Sequence, residues 1–354
     1  MESRDISFVI QGLVDRDITP LAMRNIRRFF PGAEIVLATY IGTDTTALDY
    51  DLTALVEDQG FHFHKDFPQA KPNNINRQIQ TTLAGLKAAT RPYAFKLRTD
   101  FILNGSGFLN YFNLFPKSDS DCRIFGHKLL SCVFFARDPR RKRSFAFHPS
   151  DIAFFGFRAD LINLFDVPFM TREESVFYKV KDRHYCKYVP EQHLWVNCLR
   201  RNGKDIRFEH QRDTSPKNIE DTEKYAVSNF IHLDWEQFNL TPPGRLTTFV
   251  DNTLDNIITH IEWQRLYRRY LDHALVVPEK DFLRDFISKK TRRLRLCRFI
   301  AKICVILLIG RPLKQFRKNI REKILRRLMK NICLPDNFIQ KEPTRFKWTA
   351  PPDI

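Results

Sequence analysis

An alternation of strand-like and helical runs through the first 103 residues constrains this chain more than any other feature of its sequence. "ISFVIQG" (6–12) is a continuous apolar run of strand length. "DITPLAMRNIRRFF" follows, with Thr19 as expected helix N-cap and Pro20 at the first helical position, and it stops at Pro31-Gly32. "AEIVLATY" (33–40) reads as a second strand, "LTALVED" (52–58) as a third, "NNINRQIQTTLAGLKAAT" (73–90) as a second helix and "YAFKLRTDFIL" (93–103) as a fourth strand. A β-α-β-β-α-β order of this kind requires right-handed crossovers and a mostly parallel sheet flanked by helices. Ligands then bind beyond the carboxyl ends of the strands. Further along, "DIAFFGF" (151–157) is a strand running into the helix "ADLINLF", and Pro190 opens a helix that Gly203 closes. Residues 205–250 are weakly patterned, and 251–287 read as helical with several aromatics.

The run 93–103 carries Lys96, Arg98 and Asp100 at every second position, so a strand puts all three on one face. Central strands of parallel sheets are nearly all apolar, and a buried unpaired charge is costly. The three charges therefore form either an ion-pair ladder or one wall of an anion-binding cleft. The helix before them has a core stripe of Ile75, Ile79, Leu83 and Leu86 and a polar stripe of Asn73, Asn76, Arg77 and Gln80. Amides can read a base or sugar and an arginine can take a phosphate bidentately, although a solvated helix face has the same composition. "HPSD" puts His148 and Asp151 at the entrance of a strand. Glu191 falls in the first turn of a helix, where an acid also serves simply as a partner of the helix dipole.

Seven cysteines, none in a C-x-x-C pair, point away from a disulfide framework and from a zinc ribbon and toward a reducing compartment. "MESRDISFVIQG" enters a strand-like run without a basic, then apolar leader, so no signal peptide is expected and the expected location is cytoplasmic. The net charge of +17 is unevenly placed. Residues 288–331 hold sixteen Lys or Arg against a single acid, Glu322, which leaves the rest of the chain nearly neutral and argues against a nucleic-acid-binding body. Within that segment "FIAKICVILLIG" (299–310) is too short to span a bilayer. After Pro312, apolar Leu313, Phe316, Ile320, Ile324 and Leu328 recur at helical spacing among cations, the pattern of a basic amphipathic helix lying on an anionic membrane surface. The expected layout is a catalytic domain over 1–250, a helical extension over 251–287, the basic membrane-surface segment over 288–331 and an irregular tail over 332–354.

Taken together and in order, "FVIQGLV", "NNINRQIQTTLAGL", "YAFKLRTDFIL", "HPSDIAFFGF" and "PEQHLWVNCL" resemble the WavE lipopolysaccharide-synthesis family over about residues 6–235. The resemblance implies a GT-A-like α/β fold and a glycosyltransferase that moves a sugar from a nucleotide-diphosphate donor to a lipid-linked bacterial surface glycan, such as the lipopolysaccharide core, at the inner face of the cytoplasmic membrane. GT-A enzymes carry a D-x-D motif at the end of a comparable central strand, where it holds Mn2+ or Mg2+ against the donor diphosphate. Here the triplet is Arg98-Thr99-Asp100, so a metal would have only Asp100, while Lys96 and Arg98 could neutralise the diphosphate themselves. The candidate catalytic residues are Asp100, Glu191 and Asp151, with Glu191 or Asp151 as base. The candidate donor-binding residues are Gln11, Asn76, Arg77, Gln80, Lys96, Arg98 and His148. A sugar-phosphate or glycerol-phosphate transferase would use the same strand end, and a non-catalytic membrane-peripheral scaffold is the alternative of another class.

Overall fold

A computed structural model describes residues 1–64, 71–141, 144–181, 183–243 and 256–277, together with Leu296. The expected basic amphipathic helix of 288–331 and the tail of 332–354 lie outside the described residues. Nearly all of the described residues belong to one compact unit, comprising Met1–Pro242 and Asn256–Leu275.

The strands, in chain order, are β1 (Ile6–Gln11), β2 (Glu34–Tyr40), β3 (Leu52–Val56), β4 (His62–Phe63), β5 (Pro72–Asn73), β6 (Tyr93–Arg98), β7 (Ile102–Leu103), β8 (Leu129–Cys132), β9 (Ala153–Phe157), β10 (Tyr178–Val180), β11 (Arg183–Tyr185), β12 (Phe230–Leu233) and β13 (Leu240–Thr241). The α-helices are α1 (Ile18–Phe29), α2 (Ile75–Ala88), α3 (Arg158–Phe165), α4 (Arg172–Ser175), α5 (Pro190–Arg201), α6 (Pro216–Asn229) and α7 (His260–Tyr270). Seven strands form the central sheet in the order β12-β8-β9-β6-β1-β2-β3. All neighbours run parallel except β9, which is antiparallel to both β6 and β8.

Register fixes which side chains share a face. Phe8, Phe95 and Phe155 lie abreast on β1, β6 and β9, and their rings pack at 5.3 and 6.2 Å with Phe108 and Phe238 closing over them. The opposite face carries Val9, Lys96 and Phe154 abreast. It forms one core with Ile75, Ile79 and Leu86 of α2, Leu161 and Phe165 of α3, and Leu194 and Trp195 of α5. Gly85 lets α2 approach this face closely, since a Cβ there would come within 2.5 Å of Val9 and 2.8 Å of Ala38.

Four local expectations change. Helix α1 begins at Ile18 after Asp17, so Thr19 is inside the first turn, and its hydroxyl donates to the Thr99 carbonyl at 2.9 Å rather than capping the helix. The fourth strand ends at Arg98, and Thr99-Asp100 form a turn before the two-residue β7. Residues 205–250 contain α6, with Ser215 as N-cap and Pro216 at its first position, and the central strand β12. Within 251–287 the described helix is α7 alone.

Candidate active site

Chain order gives the site its place. From β1 the chain moves outward to β2 and β3, then crosses back to β6 on the other side of β1. The carboxyl ends of β1 and β6 therefore flank a topological switch point, where an open α/β sheet leaves a crevice for ligands. The last residues of these strands, Gln11 and Arg98, are register partners. The loops beyond them are tied together: Thr99 N donates to the Gln11 carbonyl at 3.1 Å, and Thr99 Oγ1 to the Leu13 carbonyl at 2.6 Å. Gly12 between them has φ of +115°, a backbone conformation that side chains other than hydrogen rarely adopt. Gln11 is itself buried, its Oε1 accepting from Thr81 Oγ1 of α2 at 2.9 Å.

At the turn, Arg98 grips Asp100 as a fork, Nε to Oδ1 at 3.0 Å and Nη2 to Oδ2 at 2.9 Å. Burial works against the Arg98 charge, but Asp100, then Asp151 and Glu191, outweigh it and hold its pKa above the ordinary arginine value. The Arg98 side chain keeps 31% of its surface exposed, so its remaining N–H donors are available to an anion in the crevice.

Strand β9 brings the next group. Because it runs against β6, its entrance lies at the same edge as the β6 exit, and Ala153 is opposite Leu97. Asp151 is thereby placed near Arg98. Lys96, 0% exposed, does not reach the crevice: its Nζ donates to the Asp151 carbonyl and, at 3.3 Å, to that of Ile152. Gln78 of α2 donates to the same Asp151 carbonyl at 2.9 Å. Burial pushes Lys96 down to about 7, against the pull of Asp151, so its part is to fix the main chain at Asp151.

Helix α5 delivers Glu191 in its first turn. Glu191 Oε2 is 3.3 Å from His148 Nε2. Burial first, and the neighbouring Asp151 second, push Glu191 up to about 8, with Arg137 and Arg98 pulling the other way. Burial, then Arg137, drives His148 down to about 3. Both shifts oppose charge on this pair, so a neutral carboxyl lies against a neutral imidazole. Gln192, also buried, braces the surroundings: its Nε2 donates to the carbonyls of Ala146 at 2.7 Å and Gln211 at 3.3 Å, while Oε1 accepts from Val189 N at 3.2 Å.

Of the residues singled out in the sequence, Gln11, Arg98, Asp100, Asp151, His148 and Glu191 gather at the carboxyl edge, with Lys96 behind them. The polar stripe of α2 does not join them as expected. Both atoms of the Asn76 amide are taken by the Met170 backbone, at 2.9 and 2.7 Å. Arg77 is paired bidentately with Asp58 and lies 4.9 Å from the Phe61 ring. Gln80 keeps a buried Oε1 with no hydrogen-bond partner among the described residues. Gln78, Thr81 and Arg137 are the contributors that sequence reasoning missed; the first two differ from their neighbours on α2 only in pointing at the sheet edge.

The donor set does not fit a divalent cation. A hard cation needs several oxygens. Asp100 is the one carboxylate of the triplet, Arg98 occupies both its oxygens, and no group of three His, Cys, Asp or Glu able to hold a metal occurs among the described residues. No helix among the described residues is long and apolar enough to cross a membrane. A family model for WavE lipopolysaccharide synthesis matches residues 6–297. No curated protein matches the chain.

Proposed function

The chain belongs to the WavE lipopolysaccharide synthesis family, and on that footing we propose that it is a GT-A-like glycosyltransferase working at the carboxyl edge of its sheet. It moves a sugar from a nucleotide-diphosphate donor to a lipid-linked glycan acceptor. The observation that carries this reading is the Arg98–Asp100 fork at the switch point beside the buried Asp151 and the largely buried Glu191.

Glycosyl transfer leaves a diphosphate on which negative charge grows, and an inverting reaction also needs a group to take the acceptor hydroxyl proton. Arg98 meets the first need, since its guanidinium is held by Asp100 in one orientation with donors left over for the leaving oxygens. Asp100 orients that cation and gives it a local counter-charge before substrate arrives. Glu191 meets the second need: a carboxyl poised near 8 releases and regains a proton close to neutral pH. With Arg98 taking the charge that a metal would otherwise neutralise, the reaction proceeds in the presence of a chelator. The basic segment 288–331 holds the protein to the anionic membrane surface on which a lipid-linked acceptor resides.

The test is a thermal-shift and titration series of the intact protein with nucleoside diphosphates, with and without EDTA, for wild type and Arg98→Gln. One nucleotide should stabilise the wild type equally in both conditions and fail to stabilise the variant. A folded wild type that no nucleotide stabilises would overturn the donor assignment.

A further inference from the structure

Two phenylalanines beside the site are held in the left-handed region, Phe135 at φ 73° and Phe147 at φ 51°. For a bulky residue this conformation costs free energy and survives only where the surroundings impose it, often at functional sites. Each lies just before a residue that faces Glu191. Phe147 precedes His148, Phe135 stands two residues before Arg137, and the two segments are joined by Arg137 N donating to the His148 carbonyl at 3.0 Å.

What these segments present is a surplus of donors. Arg137 Nε is buried without a hydrogen-bond partner among the described residues, and the guanidinium sits 6.0 Å from the Phe135 ring. Burial lowers the Arg137 pKa, with Glu191 pulling it back and Arg212 adding to the fall. His148 Nδ1 is likewise buried without a partner among the described residues. Arg212 completes the group from the exposed side, 4.3 Å from the Phe145 ring, which in turn stacks on His148 at 5.2 Å. Buried polar atoms without a partner are uncommon in native proteins, and here two sit on hydrogen-bonded segments near a solvent-facing cation.

We propose that Arg137, His148 and Arg212 form a second oxyanion subsite beside Glu191, which takes a phosphate or carboxylate carried by the acceptor. The assignment to the acceptor rests on the transferase reading above. Glu191 acts on both Arg98 and Arg137, so both cations lie within its reach. Transfer requires donor diphosphate, acceptor and proton-accepting group within reach of one another, and Glu191 is near both cations.

The experiment is a calorimetric titration of the full chain with inorganic phosphate, and separately with glucuronate, in the presence and absence of saturating UDP, GDP or ADP. Phosphate or glucuronate should bind alongside a bound nucleotide, and the tighter of the two identifies the oxyanion. Arg137→Gln and Arg212→Gln should each weaken it roughly ten- to a hundredfold, the worth of a charged hydrogen bond, and leave nucleotide affinity unchanged. Arg212 is exposed, so its variant decides the matter if Arg137→Gln does not fold. Unchanged oxyanion affinity in Arg212→Gln and in folded Arg137→Gln would overturn the subsite. Displacement of phosphate by nucleotide, or loss of nucleotide binding in Arg137→Gln, would overturn it too by giving Arg137 to the donor diphosphate. If no nucleotide binds but phosphate binding still depends on Arg212, the subsite stands and the donor reading falls.

Discussion

At the scale of single residues the site turns on one proton and one fork. Glu191 must be ionised to accept a proton, so transfer should rise with pH to a midpoint near 8, and Glu191→Gln should remove that limb and lower the rate by roughly 10²–10⁴. A pH–rate profile of both proteins checks this. The same carboxyl has a stability signature: its pKa is raised on folding, so the native state holds a proton that the unfolded chain has released, and stability falls as pH rises from the ordinary glutamate range to about 8. The melting temperature of Glu191→Gln relative to wild type should therefore improve between pH 5 and 8, and a constant difference would refute the buried, protonated state. Asp100→Asn keeps the size of the side chain but loses the charged half of the fork, and transfer should fall about tenfold or more, read as kcat/KM. The charges of 93–103 stood out in the sequence because nothing apolar explains them. Asn76 and Arg77 misled because a polar helix face looks the same in sequence whether it meets a ligand, the backbone of Met170 or the carboxylate of Asp58.

At the scale of elements the parallel half of the sheet was legible, since β1 and β2 are apolar runs, β3 and β6 are strand-like runs, and the helices beside them have clear stops. The reversal of β9 was not, because strand direction depends on partners that lie far apart in the chain, and "DIAFFGF" reads the same either way. Helix α6 escaped notice for another reason: its buried face includes Asn218, Thr222, Glu223 and Ser228, so hydropathy periodicity is faint even though Ser215 and Pro216 mark its start. Packing between α2 and the sheet makes its own prediction. Gly85→Ala gains helix propensity but drives a methyl into Val9 and Ala38, and should cost about 1–3 kcal/mol in chemical denaturation. Because α2 also positions Gln78 and Thr81, some activity should be lost with it.

At the scale of the whole molecule, charge divides the chain into a near-neutral body and a strongly basic segment at 288–331. Flotation of the intact protein with anionic vesicles should succeed at low salt, weaken as ionic strength rises through a few tenths molar, and be lost with neutral vesicles or when Lys314, Arg317, Lys318 and Arg321 are replaced by Gln. Recovery in the soluble fraction with anionic lipid at low salt would count against the membrane address. The order of strands also bears on the chain while it is still incomplete. β9 slots between β6 and β8 although it is made after both, so until it arrives β6 is the open margin of a four-stranded sheet and offers its backbone to any passing strand. Lys96 points inward from that margin, and a charge in such a place makes pairing with a foreign strand costly. The lysine that anchors Asp151 in the finished protein is thus also an obstacle to foreign strand pairing at that margin.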